Sequence, residues 1–303
     1  MELRDLLDPD PVPGHAVEWL AADAPTPAGA YEAIVPLLSR RIGATEIERL
    51  PALRVIANCA VGYDNIDLGA ARARGIMVTN TPNVLTESTA DLTWALILAV
   101  ARRLKEGKEL VQSGAWQGWH PTELLGLELS GATLGVVGAG RIGAAVARRA
   151  VGFGMRILYV SRTAKPDLER VTGATRVELD RLLSESDVVS IHVPSTGETR
   201  RMFDGALLGR LKRGAILINT ARGDIVDEPA LIAALDEGHI GGAGLDVFSH
   251  EPTIPRALVE HPRVVALPHI GSATTHTRRA MAALAVDNVR AVLAGRPPVT
   301  PIA

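Results

Sequence analysis

The chain has 303 residues, of which 47% are hydrophobic and only 3% aromatic, so its core must consist mainly of Ala, Val, Leu and Ile. Its 32 Lys and Arg residues nearly balance its 34 Asp and Glu residues, which excludes the strongly basic surface typical of nucleic-acid-binding proteins. The one cysteine, Cys59, excludes an intrachain disulfide and is typical of a cytoplasmic protein.

Apolar strand-like runs alternate with helical patterns along most of the chain, which predicts an α/β fold with mainly parallel strands. In the first hundred residues we expect strands near Glu32–Leu37, Arg54–Cys59 and Gly75–Thr79. One long helix should follow from about Glu87 to Leu110. The segment from Ser113 to Gly131, rich in Gly, Trp and Pro, predicts an irregular connection.

A second α/β block begins at Ala132, and a last helix from about Thr275 to Leu293 follows it. We therefore expect two Rossmann-like or flavodoxin-like domains with parallel sheets, the first completed by the C-terminal helix. The substrate-binding domain would comprise residues 1–98 plus 275–303, and the dinucleotide-binding domain residues 99–274. The predicted strands of the second block are Thr133–Val137, Arg156–Val160, Val188–Val193, Ala215–Asn219, Ala243–Val247 and Val264–Leu267.

A glycine-rich turn joins the first strand of this block to a helical pattern. It contains Gly138, Gly140 and Gly143, with Arg141 and Ile142 at the start of the helix. The first glycine makes the tight turn, the second lets the backbone approach a phosphate, and the third lets helix and strand pack closely. The order strand, turn, helix predicts a site for a dinucleotide pyrophosphate at the helix N-terminus.

The tip of the next strand indicates which dinucleotide is preferred. An acidic residue about 20 positions after the glycine turn would bind the ribose 2′-hydroxyl of NAD. Here Ser161, Arg162 and Thr163 follow that strand, without a carboxylate. Because an arginine and two hydroxyls can bind a 2′-phosphate, we predict a preference for NADP(H), with NAD(H) as the alternative.

Isolated polar residues follow three later strands of the same block. Arg222 follows one, Asp246 and Glu251 the next, and His269 the last. An arginine can bind the carboxylate of a 2-keto acid and polarise its keto oxygen. A histidine can supply the proton as hydride arrives, and a neighbouring carboxylate keeps that histidine protonated.

In the order of these segments the chain resembles the D-isomer-specific 2-hydroxyacid dehydrogenases from about Leu53 to Asn288. The segments Asn58–Asp67, Asn80–Val84 and His192–Pro194 fit the same family. The resemblance implies the following roles: Arg222, Glu251 and His269 as the catalytic set, backbone N–H groups of Val61 and Gly62 for the substrate carboxylate, Asp246 and Ser272 for the nicotinamide carboxamide, and Thr89, Pro194 and Thr220 along the cofactor cleft.

The segment Asn80–Asp91 is similar to the glyoxylate/hydroxypyruvate reductase branch of that family. Trp116 and Trp119 resemble a loop that reaches the neighbouring subunit's site in related reductases, which implies Trp119 near the substrate and a homodimer formed through the nucleotide domain. Alternatively, both tryptophans only pack a domain or dimer contact.

Other functions stay open at this point. Phosphoglycerate, 2-ketogluconate and phosphite dehydrogenases use the same scaffold, and so do dinucleotide-sensing corepressors. The histidines lack metal-ligand spacing, so we expect no metal site. The longest apolar run, Leu92–Ala101, is about half of what spans a bilayer, so we expect neither a membrane nor a nucleic-acid partner.

Overall fold

The computed structural model describes residues 3–7, 10–21 and 24–302. They form two compact units: the first comprises the described residues up to Leu85 together with those from Ser272 onward, and the second comprises Thr86–Gly271. The predicted α/β fold with parallel sheets, in which the C-terminal helix completes the first unit, is confirmed. No helix in the described part of the chain is long and apolar enough to cross a membrane.

The first unit contains a small parallel sheet in the order β1-β2-β3. Its strands are β1 (Ala33–Ile34), β2 (Val55–Ala57) and β3 (Met77–Thr79). Helices α1 (Ala44–Glu48) and α2 (Leu68–Ala73) lie between these strands in the chain.

The second unit contains a larger sheet with helices between its strands. Helix α3 (Thr86–Ala101) and helix α4 (Leu104–Gln112) open the unit. The strands are β4 (Thr133–Val137), β5 (Arg156–Val160), β6 (Thr175–Arg176), β7 (Val188–Ile191), β8 (Ile216–Asn219), β9 (Gly242–Leu245) and β10 (Val264–Ala266). The helices among them are α5 (Arg141–Ala150), α6 (Pro166–Thr172), α7 (Leu179–Glu185), α8 (Gly205–Leu208), α9 (Glu228–Asp236) and α10 (Arg256–Glu260). The chain then returns to the first unit as α11 (Thr275–Leu293), which packs on β2 and β3.

The large sheet is parallel throughout, with the order β10-β9-β8-β7-β4-β5-β6. Val137, the last residue of β4, pairs with Val160 of β5 and Ile191 of β7, so these three strands end at one level. The chain order reverses between β4 and β7. Open α/β sheets bind ligands at the carboxyl ends of the strands beside such a reversal.

Alternate residues of the strands face opposite layers, as the pleat of a β-strand requires. Leu134 and Val136 of β4 join the cluster that includes apolar residues of α3 and α5, whereas Val137 joins the cluster on the other face. Each of these three side chains is at most 1% exposed. The sheet is therefore covered on both faces, and its carboxyl edge is left for binding.

The single long helix predicted over Glu87–Leu110 is wrong, since two helices with a break occupy this region. Arg103, with a φ of 53°, separates α3 from α4. The backbone N–H of Leu127 donates to the carbonyl of Ala101 at 2.8 Å, and Gly126 packs so closely that a Cβ atom there would overlap that oxygen. A segment distant in sequence thus ends α3.

Candidate active site

The glycine turn after β4 has the geometry that a pyrophosphate site needs. Gly138 has a φ of 101°, and a Cβ atom there would lie 2.7 Å from the carbonyl carbon of His192. A Cβ atom on Gly143 would overlap the carbonyl oxygen of Gly138. At Gly140, by contrast, nothing among the described residues lies within 4 Å of the Cβ position. Gly138 and Gly143 are therefore needed for close packing, whereas Gly140 leaves the backbone accessible to a phosphate.

Helix α5 begins at Arg141 and Ile142, directly after this turn. Its N-cap residue is Gly140, and no described side chain caps the helix. The first N–H groups of a helix have no partner within the helix, and the positive end of its dipole attracts anions. The glycine turn and the start of α5 therefore fit the pyrophosphate of a dinucleotide.

The loop after β5 carries the residues predicted to select the dinucleotide, and Arg162 in it is exposed. Sequence reasoning missed Arg176, which lies on the two-residue strand β6 beside this loop. Its guanidinium donates to the carbonyl oxygens of Ser161 and Arg162, each at 3.1 Å. The Lys165 ammonium donates to Oγ1 of Thr163 at 3.1 Å. The loop therefore carries two cations, Arg162 and Lys165, and a third, Arg176, contacts it. It holds no carboxylate between residues 161 and 165.

A hydrogen-bonded turn after β8 presents Arg222. The Asn219 side-chain amide donates to the carbonyl of Arg222 at 2.8 Å, and its oxygen accepts the N–H of Ala221 at 3.0 Å. Gly223 packs directly on Phe248, where a Cβ atom would overlap the backbone. This close approach fixes the half-buried Arg222 beside the loop that follows β9.

The loops after β9 and β10 bring Glu251 and His269 together. Nδ1 of His269 lies 2.8 Å from Oε2 of Glu251, and Oε1 of Glu251 accepts the N–H of Phe248 at 3.0 Å. Burial raises the pKa of Glu251, but the His269 hydrogen bond, the Phe248 N–H and the positive charge of Arg222 lower the pKa overall. The Glu251 carboxylate at Nδ1 orients the imidazole ring and leaves Nε2 for a substrate.

Asp246 fixes the backbone around His269, which has a left-handed φ of 55°. Asp246 is 1% exposed, and its carboxylate accepts the N–H groups of Ile270 and Gly271, each at 2.7 Å. Burial raises its pKa, while these two hydrogen bonds oppose that rise. Asp246 thus fixes the backbone that directly follows His269. Its predicted contact with a nicotinamide carboxamide stays a prediction.

Two of the three residues predicted along the cofactor cleft lie close to each other. Oγ1 of Thr93 in α3 lies 2.9 Å from Oγ1 of Thr220 and donates to the carbonyl of Thr89 at 2.8 Å. Thr89 and Thr220 are buried. Pro194, the third, is exposed in the loop after β7.

Two other histidines of the second unit, His192 and His261, have lowered pKa values. Burial lowers the pKa of His192 to about 3, and its Nε2 lies 2.8 Å from Oγ of Ser190. Burial and the charge of Arg263 lower the pKa of His261. The described residues contain no group of three or more His, Cys, Asp or Glu side chains that could hold a metal ion.

The remaining predicted residues lie outside the large sheet. Val61 and Gly62 follow β2 in the first unit, and their backbone N–H groups donate to no described residue. Ser272 is the first residue of the C-terminal part of that unit. Trp119 lies in the irregular connection after α4 and is 83% exposed. The roles of these four residues stay predictions.

A glycine turn at a strand-order reversal and a histidine–carboxylate pair at the same sheet edge define a dinucleotide-dependent oxidoreductase. The family model for the D-isomer specific 2-hydroxyacid dehydrogenase, NAD binding domain, matches residues 94–271. The glyoxylate reductase of Thermococcus litoralis is 52% identical over 271 residues, which cover 88% of this chain and 82% of that protein. The glyoxylate reductase of Pyrococcus furiosus is 52% identical over 273 residues, covering 89% and 81%.

Among solved structures, an NADPH-dependent glyoxylate/hydroxypyruvate reductase from Sinorhizobium meliloti in complex with NADP and malonate is 40% identical, with a TM-score of 0.83. The match covers 90% of this chain and 84% of that one. The chain belongs to the D-isomer specific 2-hydroxyacid dehydrogenase family. It is an NAD(P)-dependent dehydrogenase, and the family and branch predicted from the sequence are confirmed.

Proposed function

We propose that this protein reduces small 2-keto acids, glyoxylate or hydroxypyruvate, to the D-2-hydroxy acid, with NADPH as its preferred reductant. The observation that carries the proposal is the hydrogen bond between His269 and Glu251, beside the turn that presents Arg222. The glyoxylate reductases among its relatives support the class of substrate.

The second unit is proposed to bind the dinucleotide and the first unit to bind the substrate carboxylate. The glycine turn and α5 supply the pyrophosphate site, since no side chain in the described part of the chain caps this helix N-terminus. When bound, the reduced nicotinamide supplies a hydride to C2 of the keto acid. The N–H groups of Val61 and Gly62 donate to the substrate carboxylate.

The residues of this chain supply the charge and the proton. Arg222 binds the substrate and polarises its keto oxygen, so that negative charge developing there is stabilised. His269 donates the proton on Nε2 to that oxygen, which becomes the hydroxyl of the product. Glu251 holds the imidazolium in position through Nδ1. One hydride and one proton thus convert the carbonyl into an alcohol.

The preference for NADPH depends on the loop after β5. Arg162 would pair with the 2′-phosphate, and the hydroxyls of Ser161 and Thr163 would donate to it. A carboxylate that would repel the phosphate is missing from this loop, and the NADP complex of the Sinorhizobium meliloti relative supports the assignment. NAD(H) is the alternative cofactor.

Further roles follow from the family pattern and are proposed with it. We propose a homodimer to which the Ser113–Gly131 connection contributes, with Trp119 near the substrate. In the cofactor cleft we propose Asp246 and Ser272 at the carboxamide, with Thr89, Pro194 and Thr220 lining the dinucleotide.

The proposal is tested by following NADPH absorbance with glyoxylate, hydroxypyruvate, phosphohydroxypyruvate and 2-ketogluconate. We expect the highest kcat/KM with glyoxylate or hydroxypyruvate. A higher kcat/KM with phosphohydroxypyruvate or 2-ketogluconate would identify that compound as the better substrate and contradict the proposed one. Tight NADPH binding without turnover of any keto acid would overturn the proposed keto-acid reduction in favour of dinucleotide sensing.

A further inference from the structure

The loop after β2 is tied to the end of β3 through its carbonyl oxygens. The carbonyl of Ala60 accepts the N–H of Thr81 at 2.8 Å. The carbonyl of Val61 accepts the side-chain amide of Asn80, also at 2.8 Å. Two successive carbonyls therefore point toward two successive residues, Asn80 and Thr81.

This arrangement dictates where the next two N–H groups point. In a trans peptide the N–H lies opposite the C=O, and the peptide bonds of this loop are trans. The N–H of Val61 must therefore point away from Thr81, and the N–H of Gly62 away from Asn80. Neither donates to any described residue. Two neighbouring N–H groups on one side form an anion-binding concavity.

Asn80 is in turn held by the C-terminal segment. Its carbonyl accepts Oγ1 of Thr300 at 2.6 Å. Thr300 is fixed by Asn288 of α11, whose oxygen accepts the Thr300 N–H at 2.9 Å and whose amide donates to Oγ1 at 2.8 Å. The N–H of Ile302 donates to the carbonyl of Val78 in β3 at 2.8 Å. The chain after α11 thus runs along β3 and holds the backbone of Asn80 in place.

We propose that Asn80 is the positioning residue of the substrate-carboxylate loop, and that Thr300 and Asn288 lock it in place. Without the Asn80 amide, the Val61 carbonyl loses its partner and the peptide that carries the Gly62 N–H is free to rotate. The loop then offers one aligned donor to the carboxylate instead of two. The inference rests on the proposed keto-acid reduction, because the carboxylate is the substrate's.

The test compares Asn80→Ala and Thr300→Val with wild type in KM for glyoxylate, kcat, NADPH Kd and Tm. Thr300→Val keeps the side-chain shape but loses the hydroxyl. We expect KM to rise about tenfold in Asn80→Ala and about threefold in Thr300→Val, since a donor to a charged group is lost or loosened. We expect kcat and NADPH Kd to stay within about twofold, because the loss is one of uniform substrate binding.

The matched control is Asp67→Ala at the far end of the same loop, which removes the N-cap of α2, a hydrogen bond from the Ala70 N–H at 2.9 Å, and leaves the contacts of Ala60, Val61 and Asn80 in place. It should lower Tm with KM unchanged. The double variant Asn80→Ala/Thr300→Val should raise KM no more than Asn80→Ala alone, since both changes act through one chain of contacts.

An unchanged KM in Asn80→Ala, in a wild type that reduces glyoxylate, overturns this inference and leaves the proposed function intact. Should the wild type reduce no keto acid, oxalate binding to the NADP⁺-loaded protein measured by calorimetry replaces KM. About tenfold weaker oxalate binding in Asn80→Ala would support the inference. Equal affinity, or no oxalate binding by the wild type, would overturn it.

Discussion

Gly143 in α5 lies so close to Gly138 that a Cβ atom on Gly143 would overlap the Gly138 carbonyl oxygen, whereas the Cβ position of Gly140 is open. The two glycines should therefore fail in different ways. Gly143→Ala must push the helix away from β4 and should lower Tm by several degrees. Gly140→Ala should keep the wild-type Tm but weaken dinucleotide binding, because its methyl group occupies the approach to the backbone.

Thermal unfolding and NADPH fluorescence titration measure both quantities on the same preparations. Equal loss of Tm in the two variants would contradict the division of roles. Wild-type NADPH affinity in Gly140→Ala would exclude the glycine turn as the pyrophosphate site.

Arg162→Ala should weaken NADPH binding about tenfold, since a charge-assisted contact with the 2′-phosphate is lost, and should leave NADH binding unchanged. The measurement is the ratio of the two dissociation constants. Arg170→Ala is the control, since Arg170 is an exposed arginine of α6 paired with Asp167 at 3.0 Å. An unchanged ratio in Arg162→Ala, or an equal change in Arg170→Ala, would refute the selectivity of the loop.

Glu251→Gln should change the pH dependence of reduction. The pKa of Glu251 is lowered by its partners, so its carboxylate is anionic at neutral pH beside Nδ1 of His269. In the proposed mechanism reduction requires a proton from His269, so kcat/KM should fall as pH rises. Without the anion the fall in kcat/KM should occur at lower pH. A pH–rate profile identical to that of wild type would show that Glu251 does not hold the proton in place.

The sequence predicted the parts of the fold that depend on local patterns. Strands Thr133–Val137 and Arg156–Val160 were predicted with the observed limits, because continuous apolar runs bounded by turn residues specify strands buried on both faces. The position of the glycine turn follows directly from the pattern of strand, turn and helix, whereas the pairing of Glu251 with His269 was implied by the resemblance to the family.

What escaped prediction depends on contacts between distant segments. The break at Arg103 arises because Gly126 and Leu127 contact the carbonyl of Ala101, the last residue of α3. The helical pattern of the sequence continues across this break and therefore predicts a single helix. Strand β6 consists of two exposed polar residues that pair with β5. No apolar pattern marks this strand, so the sequence did not place Arg176 beside the loop after β5. The support of Asn80 by Thr300 joins residues 220 positions apart.

The most direct measurement of the central claim is kcat for glyoxylate reduction by His269→Ala, with His250→Ala as control because His250 is exposed and adjacent to Glu251. We predict a fall in kcat of at least about a hundredfold in His269→Ala, an NADPH Kd close to that of wild type, and wild-type kcat in His250→Ala. Wild-type turnover by His269→Ala would contradict the account.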